Sequence, residues 1–407
     1  MVNCRGCNSK LSLTLIDLGQ SPIANNLLSN PSHDTLDKHY PLHAMTCESC
    51  ALVQLSESLP RETIFNPDYV YYSSTSTSWL KHSKLYAEKM TKMLSLNQND
   101  LVVEVASNDG YLLQFFQELG VSVLGIEPAI GVASSAIKKG IPTVMDFFGA
   151  SLALNLASSQ KPKLIIGNNV LAHVPNLHDF LHGISLLISD EGVITFEFPH
   201  LLNLLQNTQF DTIYHEHYSY LSITALMPLL NQYKLKVFEI EKLPSHGGSL
   251  RVFLAKQTSK WKISQAIEDT LLEESNFDPR NENIYKSLQI NANKIKSDLQ
   301  NELHELKEKG KKIAVYGAAA KGATLLNYCG IKSNLINYAV DLNPNKQGKF
   351  IPGSLIPIVD PVMLSSSRPE VLLVLPWNLS IEIKLQLKDQ IKLGMKLMRA
   401  IPKVEYF

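Results

Sequence analysis

The chain has 407 residues, and because 38 lysines and arginines balance 38 aspartates and glutamates, its formal charge at pH 7 is zero. This balance argues against nucleic acid or an anionic membrane as the main partner. The length is sufficient for two or three domains, and the longest apolar runs are too short to cross a bilayer. Because the N-terminus, MVNCRGCNSK, lacks the apolar stretch of a signal peptide, we expect a soluble cytoplasmic protein.

Two C-x-x-C pairs stand near the N-terminus, Cys4 with Cys7 and Cys47 with Cys50. In a cytosolic protein such pairs are more often metal ligands than disulfides. Four thiolates complete a tetrahedral zinc site with no open position, which is the structural kind of site. The spacing therefore predicts a small zinc-binding module, with a redox pair or incidental cysteines as the alternative.

A segment rich in tyrosine and serine, from Asn66 to Ser74, precedes a helix predicted over Ser78–Leu94. Two interpretations are open for this linker. It is either an aromatic plug between domains, or a lid over a cofactor pocket that donates a tyrosine hydroxyl.

The segment LVVEVASNDG, residues 101–110, reads as a buried strand that breaks into a turn of small residues, followed by an amphipathic helix. Such a turn at the carboxyl end of a parallel strand lets a ligand approach the backbone closely. A second strand ends at Glu127, where doubly wound sheets place an acid that hydrogen-bonds ribose hydroxyls. The segment therefore predicts an adenosine-ribose site.

The turn also indicates which cofactor is bound. The G-x-G-x-x-G fingerprint of dinucleotide sites is absent, and Glu104 precedes the turn. A carboxylate at that place repels pyrophosphate but suits S-adenosylmethionine (SAM), which carries an ammonium and a sulfonium and no phosphate. These features disfavour a zinc- or NAD-dependent sugar oxidoreductase, and a plain α/β domain with a polar turn is the other alternative.

Strands and helices alternate to about residue 200, which indicates a mostly parallel sheet. Polar residues follow further strands, and Asp146 beside Phe147 could pair with the adenine amino group and cover its ring. The predicted SAM-binding residues are Glu104, Ala106, Ser107, Asn108, Gly110, Glu127, Pro128, Asp146, Phe147, Asn168, Asn169 and His173.

The densest polar cluster spans residues 210–220 and contains His215, Glu216 and His217. The H-E-x-x-H spacing of a helical metal site is absent. In an extended segment alternate residues share one side, so both histidines could bind metal, or one could serve as a base beside the carboxylate. A purely structural polar cluster is the alternative.

A Gly-Gly turn follows at residues 245–254, SHGGSLRVFL, with composition suited to closing on an anionic or polyhydroxyl ligand. A helical connector, residues 261–309, leads to a second α/β unit that begins at Lys311. Its first strand breaks into GAAAKG, residues 317–322, where helix-start N–H groups and Lys321 favour phosphate. An unliganded duplicate of the fold is the alternative.

Taken in order, these motifs resemble the SAM-dependent sugar C-methyltransferases, which act on nucleotide-linked, usually dTDP-linked, deoxy-keto-sugars. The resemblance rests on the two cysteine pairs, E-x-x-S-N-D-G from Glu104, Y-H-E-H from Tyr214, S-H-G-G-S from Ser245 and G-x-x-x-K-G from Gly317. It implies an α/β protein of three parts: a zinc-binding domain (1–65), a Rossmann-like class I methyltransferase domain (66–255) and a second Rossmann-like domain that helps bind the nucleotide sugar (256–407). It also implies a role in deoxysugar or surface-polysaccharide biosynthesis.

Carbon methylation beside a carbonyl requires a base, because the enolate must form before the carbon attacks a methyl group. By the resemblance, His217 is the base, Glu216 orients it or shares the proton, and Tyr214 and Tyr71 donate to the sugar oxygens. No catalytic metal is needed, and a monomer is expected. The predicted substrate-binding residues are Tyr72, His200, His246, Gly247, Ser249, Arg251, Ala319, Lys321, Asp341 and Lys346. A non-catalytic nucleotide-sugar-binding protein with the same fold is the alternative function.

Overall fold

The computed structural model describes residues 2–30, 38–64 and 72–407. Tyr71 lies outside these ranges, and so does most of the segment to which the lid interpretation refers. Within the described part, no helix is long and apolar enough to cross a membrane.

The N-terminal part consists of three antiparallel strands and a short helix, followed by a long helix. Its elements are β1 (Leu13–Pro22), β2 (His39–Thr46), β3 (Val53–Leu55), α1 (Arg61–Ile64) and α2 (Thr77–Leu94). Helix α2 begins where the Ser76 hydroxyl accepts a hydrogen bond from the Trp79 backbone N–H at 3.3 Å, and it ends at Ser95 in the left-handed conformation. An N-cap serine of this kind satisfies one of the free donors at a helix start.

The middle part contains a seven-stranded sheet in the order β10-β11-β8-β7-β4-β5-β6. Strands β4 to β8 are parallel, and β10 and β11 form an antiparallel hairpin at the edge. The elements are β4 (Leu101–Val105), α3 (Leu113–Glu118), β5 (Ser122–Ile126), α4 (Ile130–Lys138), β6 (Thr143–Val144), α5 (Ala150–Ala157), β7 (Leu164–Asn168), α6 (Leu177–Leu187), β8 (Val193–Pro199), α7 (Leu201–Gln206), β9 (Ser219–Tyr220), α8 (Ile223–Gln232), β10 (Leu235–Leu243) and β11 (Ser249–Lys256).

The strands of this sheet are apolar on both faces because helices cover both. In β4, Val103 and Val105 join one buried core, whereas Val102 joins the core on the opposite face. Alternate residues of a strand point to opposite faces, so valines on both faces are typical of a parallel sheet between two helical layers. The chain order reverses between β4 and β7, and this switch point opens a crevice at the carboxyl ends of the strands.

The C-terminal part begins with two helices and continues into a six-stranded sheet, β14-β13-β12-β15-β16-β17, in which only β17 is antiparallel to its neighbour. The elements are α9 (Ala266–Ser275), α10 (Glu282–Glu308), β12 (Ile313–Tyr316), α11 (Ala320–Tyr328), β13 (Ala339–Val340), β14 (Ile358–Val359), α12 (Met363–Ser367), β15 (Val371–Val374), α13 (Ser380–Gln386), α14 (Lys388–Lys392), β16 (Lys396–Arg399) and β17 (Glu405–Tyr406).

The predicted helical connector is interrupted between α9 and α10. Pro279 has no N–H to continue a helix, and Arg280 instead folds back on the Asp278 carboxylate with its backbone N–H at 2.9 Å. Asn281 then caps α10 by accepting a hydrogen bond from the Asn283 N–H.

The three parts share packing and strand pairing. Strand β9, from the middle part, is the fourth strand of the N-terminal sheet, where it pairs antiparallel with β3. One buried core includes Ile16 of β1, Phe210 of the middle part, Leu299 of α10 and Val315 of β12. The polar segment that contains His217 therefore lies where all three parts meet.

Candidate active site

One large cavity, of about 770 Å³, lies between the middle and C-terminal sheets. Its lining includes Glu127 and Asp146, which follow strands of the middle sheet, Tyr214 and His217 of the polar segment, and Lys321 of α11. Ligand pockets typically measure about 300–1,000 Å³, so this volume is at the upper end of that range. The arrangement allows two ligands to meet at the centre of one cavity.

The turn after β4 has an unusual backbone. Ala106, Asn108 and Gly110 all have positive φ, at 57°, 51° and 76°. Only glycine adopts this region freely, although asparagine tolerates it better than most residues. This backbone conformation lets the Asn108 N–H donate to one oxygen of the Glu127 carboxylate at 3.0 Å. The Ala129 N–H donates to the other oxygen at 2.8 Å.

Glu127 is suited to binding a ribose. Each of its oxygens accepts one backbone hydrogen bond and keeps a second lone pair for a ligand hydroxyl. Burial raises the pKa of this carboxyl to about 7, and the two N–H groups oppose that rise. Its charge therefore changes near neutral pH.

The cofactor end also contains buried acceptors that no described residue satisfies. The side-chain oxygens of Asn168 and Asn169 are of this kind, and both residues line the cavity. Buried polar atoms in proteins are almost always hydrogen-bonded, so unsatisfied acceptors here indicate a ligand with donors. The ammonium group of SAM is such a donor, and the residues present fit this cofactor. Pro128, Phe147 and His173 also line the cavity.

Glu104 does not occupy the position that the sequence suggested. Its side chain is fully buried beneath the turn and is not part of the cavity wall. Burial raises its pKa well above the usual value, and a hydrogen bond with the Tyr111 side chain opposes that rise only in part. It therefore cannot face a ligand cation directly. Ser107 and Gly110 also lie behind the wall, where they shape the turn.

His217 has two polar contacts that fix its ring. The Nδ1 atom lies 2.9 Å from the Thr212 carbonyl oxygen and must carry the proton, since a carbonyl can only accept. The Nε2 atom is then the bare nitrogen, and it lies 2.8 Å from the Tyr214 hydroxyl. The His173 ring contacts it edge-on at 4.7 Å. Burial lowers the pKa of His217 well below its usual value, so the ring is neutral at pH 7.

The expectation that His215 and His217 share one side of an extended segment is wrong. Residues 215–216 form a turn, which directs the two rings apart. His215 contacts the Tyr40 ring of the N-terminal part at 5.9 Å, whereas His217 lines the cavity. The two histidines therefore cannot bind one metal ion.

Glu216 also differs from the sequence expectation. It lines the cavity but does not contact His217, whose two nitrogens are occupied by Thr212 and Tyr214. Its partner is Asn25 of the N-terminal part, whose hydrogen bonds lower the carboxyl pKa, although burial dominates and raises it to about 7. Glu216 therefore does not orient the imidazole.

The far end of the cavity is formed by the turn after β12. The Asp341 carboxylate accepts from the Ala318 N–H at 2.8 Å and pairs with the Lys346 ammonium at 3.3 Å. Lys321 donates to the Asn378 side chain at 2.7 Å, and its ammonium lies 4.6 Å from the centre of the Trp377 ring. Ala319, Lys321, Asp341, Lys346 and Asn378 line the cavity. Among them, two ammonium groups outnumber the single carboxylate.

Several predicted substrate residues lie elsewhere. His200 is buried against the Glu274 carboxylate at 2.7 Å, and Arg251 is buried between Glu197 at 2.7 Å and Glu241 at 3.2 Å. Both side chains are occupied by carboxylates and do not line the cavity. Tyr72, Gly247 and Ser249 do not line the cavity either, whereas His246 does.

A buried polar network supports the His246 loop, and no sequence motif predicted it. The Glu197 carboxylate accepts from the Ser245 hydroxyl at 2.8 Å and contacts His82 of α2 at 2.9 Å. Burial opposes its charge, but His82, Arg251 and Ser245 lower its pKa to about 2. His82 and the adjacent Trp79 line the cavity, so α2 forms part of the wall. Helical spacing alone indicated only packing for these residues.

The four N-terminal cysteines are brought together as the spacing predicts. Their sulfur atoms all lie within 4.8 Å of one another, with Cys4–Cys50 at 3.5 Å and Cys7–Cys47 at 3.4 Å. A tetrahedral zinc ion with Zn–S bonds of about 2.3 Å needs sulfur separations near ~3.8 Å. The residues therefore fit a zinc ion, which would link the two C-x-x-C turns.

Three family models match the chain in the order of its parts. A zinc binding domain matches residues 4–65, a methyltransferase domain matches residues 79–240, and a C-methyltransferase C-terminal domain matches residues 244–402. The fold and these matches define a SAM-dependent methyltransferase, with SAM as its cofactor and zinc in its N-terminal part. The chain is also 31% identical to the C-methyltransferase NovU of Streptomyces niveus over 400 residues, which cover 98% of this chain and 95% of that protein. It therefore belongs to the C-methyltransferase family.

Solved structures resemble parts of the chain. A SAM-dependent methyltransferase from Clostridium acetobutylicum ATCC 824 is 13% identical with a TM-score of 0.35, covering 43% of this chain and 91% of that one. Magnesium protoporphyrin IX methyltransferase (ChlM) from Synechocystis PCC 6803, solved with bound SAM, is 11% identical with a TM-score of 0.36, covering 49% and 98%.

Proposed function

We propose that this C-methyltransferase methylates the ring carbon beside the keto group of a nucleotide-linked deoxysugar. The observation that carries the proposal is one continuous cavity, whose lining includes Glu127, Tyr214, His217 and Lys321. A nucleotide sugar has the matching polarity, since its phosphates lie at one end and its reactive ring at the other. A dTDP-linked sugar, in deoxysugar or surface-polysaccharide biosynthesis, is the substrate we favour.

In this proposal His217 removes the proton beside the keto group. Its Nε2 atom carries the lone pair, because Nδ1 is committed to the Thr212 carbonyl. Burial lowers the pKa of His217 and keeps the ring neutral at pH 7, so this lone pair carries no proton before the substrate binds. When bound, SAM would supply the methyl group for the enolate carbon, with S-adenosylhomocysteine as the leaving group.

Tyr214 has two possible partners in the cavity. Its hydroxyl contacts His217 Nε2 in the structure, and a bound keto oxygen could take that hydrogen bond instead. A donor aimed at this oxygen stabilises the negative charge of the enolate, as oxyanion donors do in acyl transfer. If the Tyr214 hydroxyl donates its hydrogen bond to the substrate instead, Nε2 of His217 becomes free to accept the proton. Tyr71 stays a predicted second donor.

The phosphates belong at the other end in this proposal. The N–H groups at the start of α11, together with the ammonium groups of Lys321 and Lys346, suit a diphosphate. We therefore assign residues 256–407 to nucleotide binding, residues 66–255 to SAM and residues 1–65 to zinc.

The test is mass spectrometry of a panel of nucleotide keto-sugars incubated with the protein and SAM. We expect one substrate to gain a single methyl group, and the corresponding nucleotide sugar without the keto group, as the matched control, to gain none. Methylation of the control sugar would contradict the enolate route. Absence of methyl transfer across the whole panel would remove the proposed substrate class.

A further inference from the structure

We propose that Arg5 is a positioning residue for the catalytic segment, defined here as residues 214–218. Arg5 lies between the zinc-ligating Cys4 and Cys7, in the N-terminal part. It fixes the backbone at Tyr218, directly after His217, and thereby the orientation of the His217 ring. The inference rests on the proposed function only in taking His217 as the base.

The Arg5 side chain connects the zinc turn to this segment. Its Nη1 atom donates to the Tyr218 carbonyl oxygen at 2.6 Å, and its Nη2 atom contacts the Ser58 hydroxyl. Its backbone N–H donates to the Gln54 side chain at 2.7 Å. A guanidinium is planar, so bonds from two of its nitrogens fix its orientation as well as its position. Arg5 therefore holds the Tyr218 carbonyl in one place.

The same carbonyl receives a second donor from the N-terminal part. The Leu55 N–H contacts it at 3.1 Å, and the pairing continues with Gln54 opposite Ser219 and Val53 opposite Tyr220. Both bonds that fix the His217 ring come from residues before it in the chain, Thr212 and Tyr214. The N-terminal part therefore supplies the restraint on the other side of His217.

The turn that contains Arg5 is anchored on its opposite side as well. The Gly6 carbonyl oxygen lies 3.1 Å from His178 Nε2 on α6. A zinc ion bound by Cys4 and Cys7 would fix the backbone on both sides of Arg5. In this proposal, metal binding therefore helps to hold the base in position. A displacement of about 1 Å at reacting groups can cost ~10²-fold in rate.

The experiment compares Arg5→Met with Arg280→Met. Arg280 is a matched control, since it also lies near the cysteines. The Asp278 carboxylate is the main group that raises the pKa of Arg280, and Cys50 and Cys47 raise it by smaller amounts. Its side chain bonds Asp278 and does not contact the catalytic segment. Zinc content, binding of S-adenosylhomocysteine, kcat and the ¹⁵N NMR signals of the His217 ring are measured in both, with His217→Asn used for assignment.

We expect Arg5→Met to retain zinc and cofactor affinity, to shift the His217 ring signals and to lower kcat about 10–100-fold, as for a misplaced base. Arg280→Met should leave the ring signals and kcat unchanged. Unshifted ring signals in Arg5→Met, equal shifts in both variants, or a kcat above a third of wild type would overturn the proposal. The NMR comparison needs no sugar, so it decides the role of Arg5 even if no panel substrate is methylated.

If Arg5→Met loses zinc or does not fold, Arg5→Lys provides the same test. An ammonium cannot bond the Tyr218 carbonyl and the Ser58 hydroxyl with the fixed geometry of a guanidinium. We expect shifted His217 signals and a kcat reduced at least about threefold, since only part of the restraint remains. Wild-type ring signals in zinc-loaded Arg5→Lys would overturn the proposal.

Discussion

The hydroxyl group of Tyr214 lies 2.8 Å from Nε2 of His217. Because the Thr212 carbonyl commits the other ring nitrogen to a proton, the hydroxyl must donate to Nε2. A substrate oxygen that accepts the Tyr214 hydrogen bond would therefore leave the unprotonated Nε2 of His217 free to accept a proton. Side chains coupled in this way act as one unit, and their separate removal should not be additive.

Replacing His217 with asparagine should abolish the base and preserve binding. Asparagine retains a polar side chain but has no nitrogen that can accept a proton at neutral pH. A positioned general base contributes ~10²–10⁴-fold, so kcat should fall by about that factor. Calorimetry with S-adenosylhomocysteine should show nearly unchanged affinity, which separates loss of chemistry from loss of the site.

His215→Asn is the matched control, because His215 lies against Tyr40 outside the cavity. It should change stability more than kcat. Normal turnover in His217→Asn, with loss in His215→Asn, would exchange the two roles. If the wild type exchanges the substrate proton beside the keto group in deuterated water without SAM, His217→Asn should lose that exchange as well.

Cofactor binding should depend on pH through Glu127. The pKa of this carboxyl is raised to about 7 by burial, so the residue is protonated below that pH and ionised above it. The ionised form accepts the ribose hydroxyls better, and binding to it releases a proton. Between pH 8 and pH 6 the affinity for S-adenosylhomocysteine should therefore fall by up to about tenfold. Calorimetry in buffers of different ionisation enthalpy measures the affinity and the released proton together.

Two variants identify the group responsible for this pH dependence. Glu127→Gln should bind more weakly, and its affinity should not change between pH 6 and 8. Glu216 is the control because burial raises its pKa to about 7 as well, yet it lies beside Asn25, away from the ribose end. Glu216→Gln should retain the wild-type dependence. If it loses that dependence while Glu127→Gln keeps it, the ribose has been assigned to the wrong carboxylate.

The sequence predicts those parts of the molecule that depend on local patterns. The α/β class, the zinc cysteines and the strand ends at Glu127 and Asn168 follow from spacing and periodicity. The turn after β4 shows the limit of such patterns: Ala106 and Asn108 adopt left-handed backbone conformations that the glycine fingerprint assigns to glycine. Tertiary contacts such as the Glu127–Asn108 bond stabilise this conformation, and no local pattern encodes them.

The site itself could be predicted only in part, because its polar partners come from distant segments. His217 belongs to a motif, but Asn25 approaches Glu216 from the N-terminal part, and His82 reaches Glu197 over 115 positions. Arg251 illustrates the opposite case, since a charged residue near a Gly-Gly turn suggested ligand binding but is paired with the Glu197 and Glu241 carboxylates. Burial and pairing determine which charges remain available to a ligand.

Metal content should follow the four cysteines. Elemental analysis is expected to give about one zinc ion per chain, since four thiolates satisfy one tetrahedral ion. Cys47→Ser should weaken zinc binding and lower the melting temperature, because metal affinity contributes directly to the folding of small metal-binding modules. Cys329→Ser is the control, as this buried cysteine lies in the C-terminal core. Full zinc content in a variant lacking both Cys4 and Cys47 would contradict the assignment.

Removing the charge of Lys321 should weaken nucleotide-sugar binding without changing cofactor binding. Its ammonium lies against Trp377 and Asn378 at the end of the cavity away from Glu127, and burial lowers its pKa by disfavouring the charged form. A phosphate would restore the favourable pairing, and a hydrogen bond to a charged group contributes ~1.5–3 kcal/mol. Lys321→Met should therefore raise KM for the nucleotide sugar about 10–100-fold, when that free energy is converted to a ratio of dissociation constants.

The control is Lys332→Met, which changes an exposed lysine of the C-terminal part outside the cavity and should leave KM unchanged. A raised Kd for S-adenosylhomocysteine in Lys321→Met, with an unchanged KM for the sugar, would place the cofactor and not the phosphates at this end.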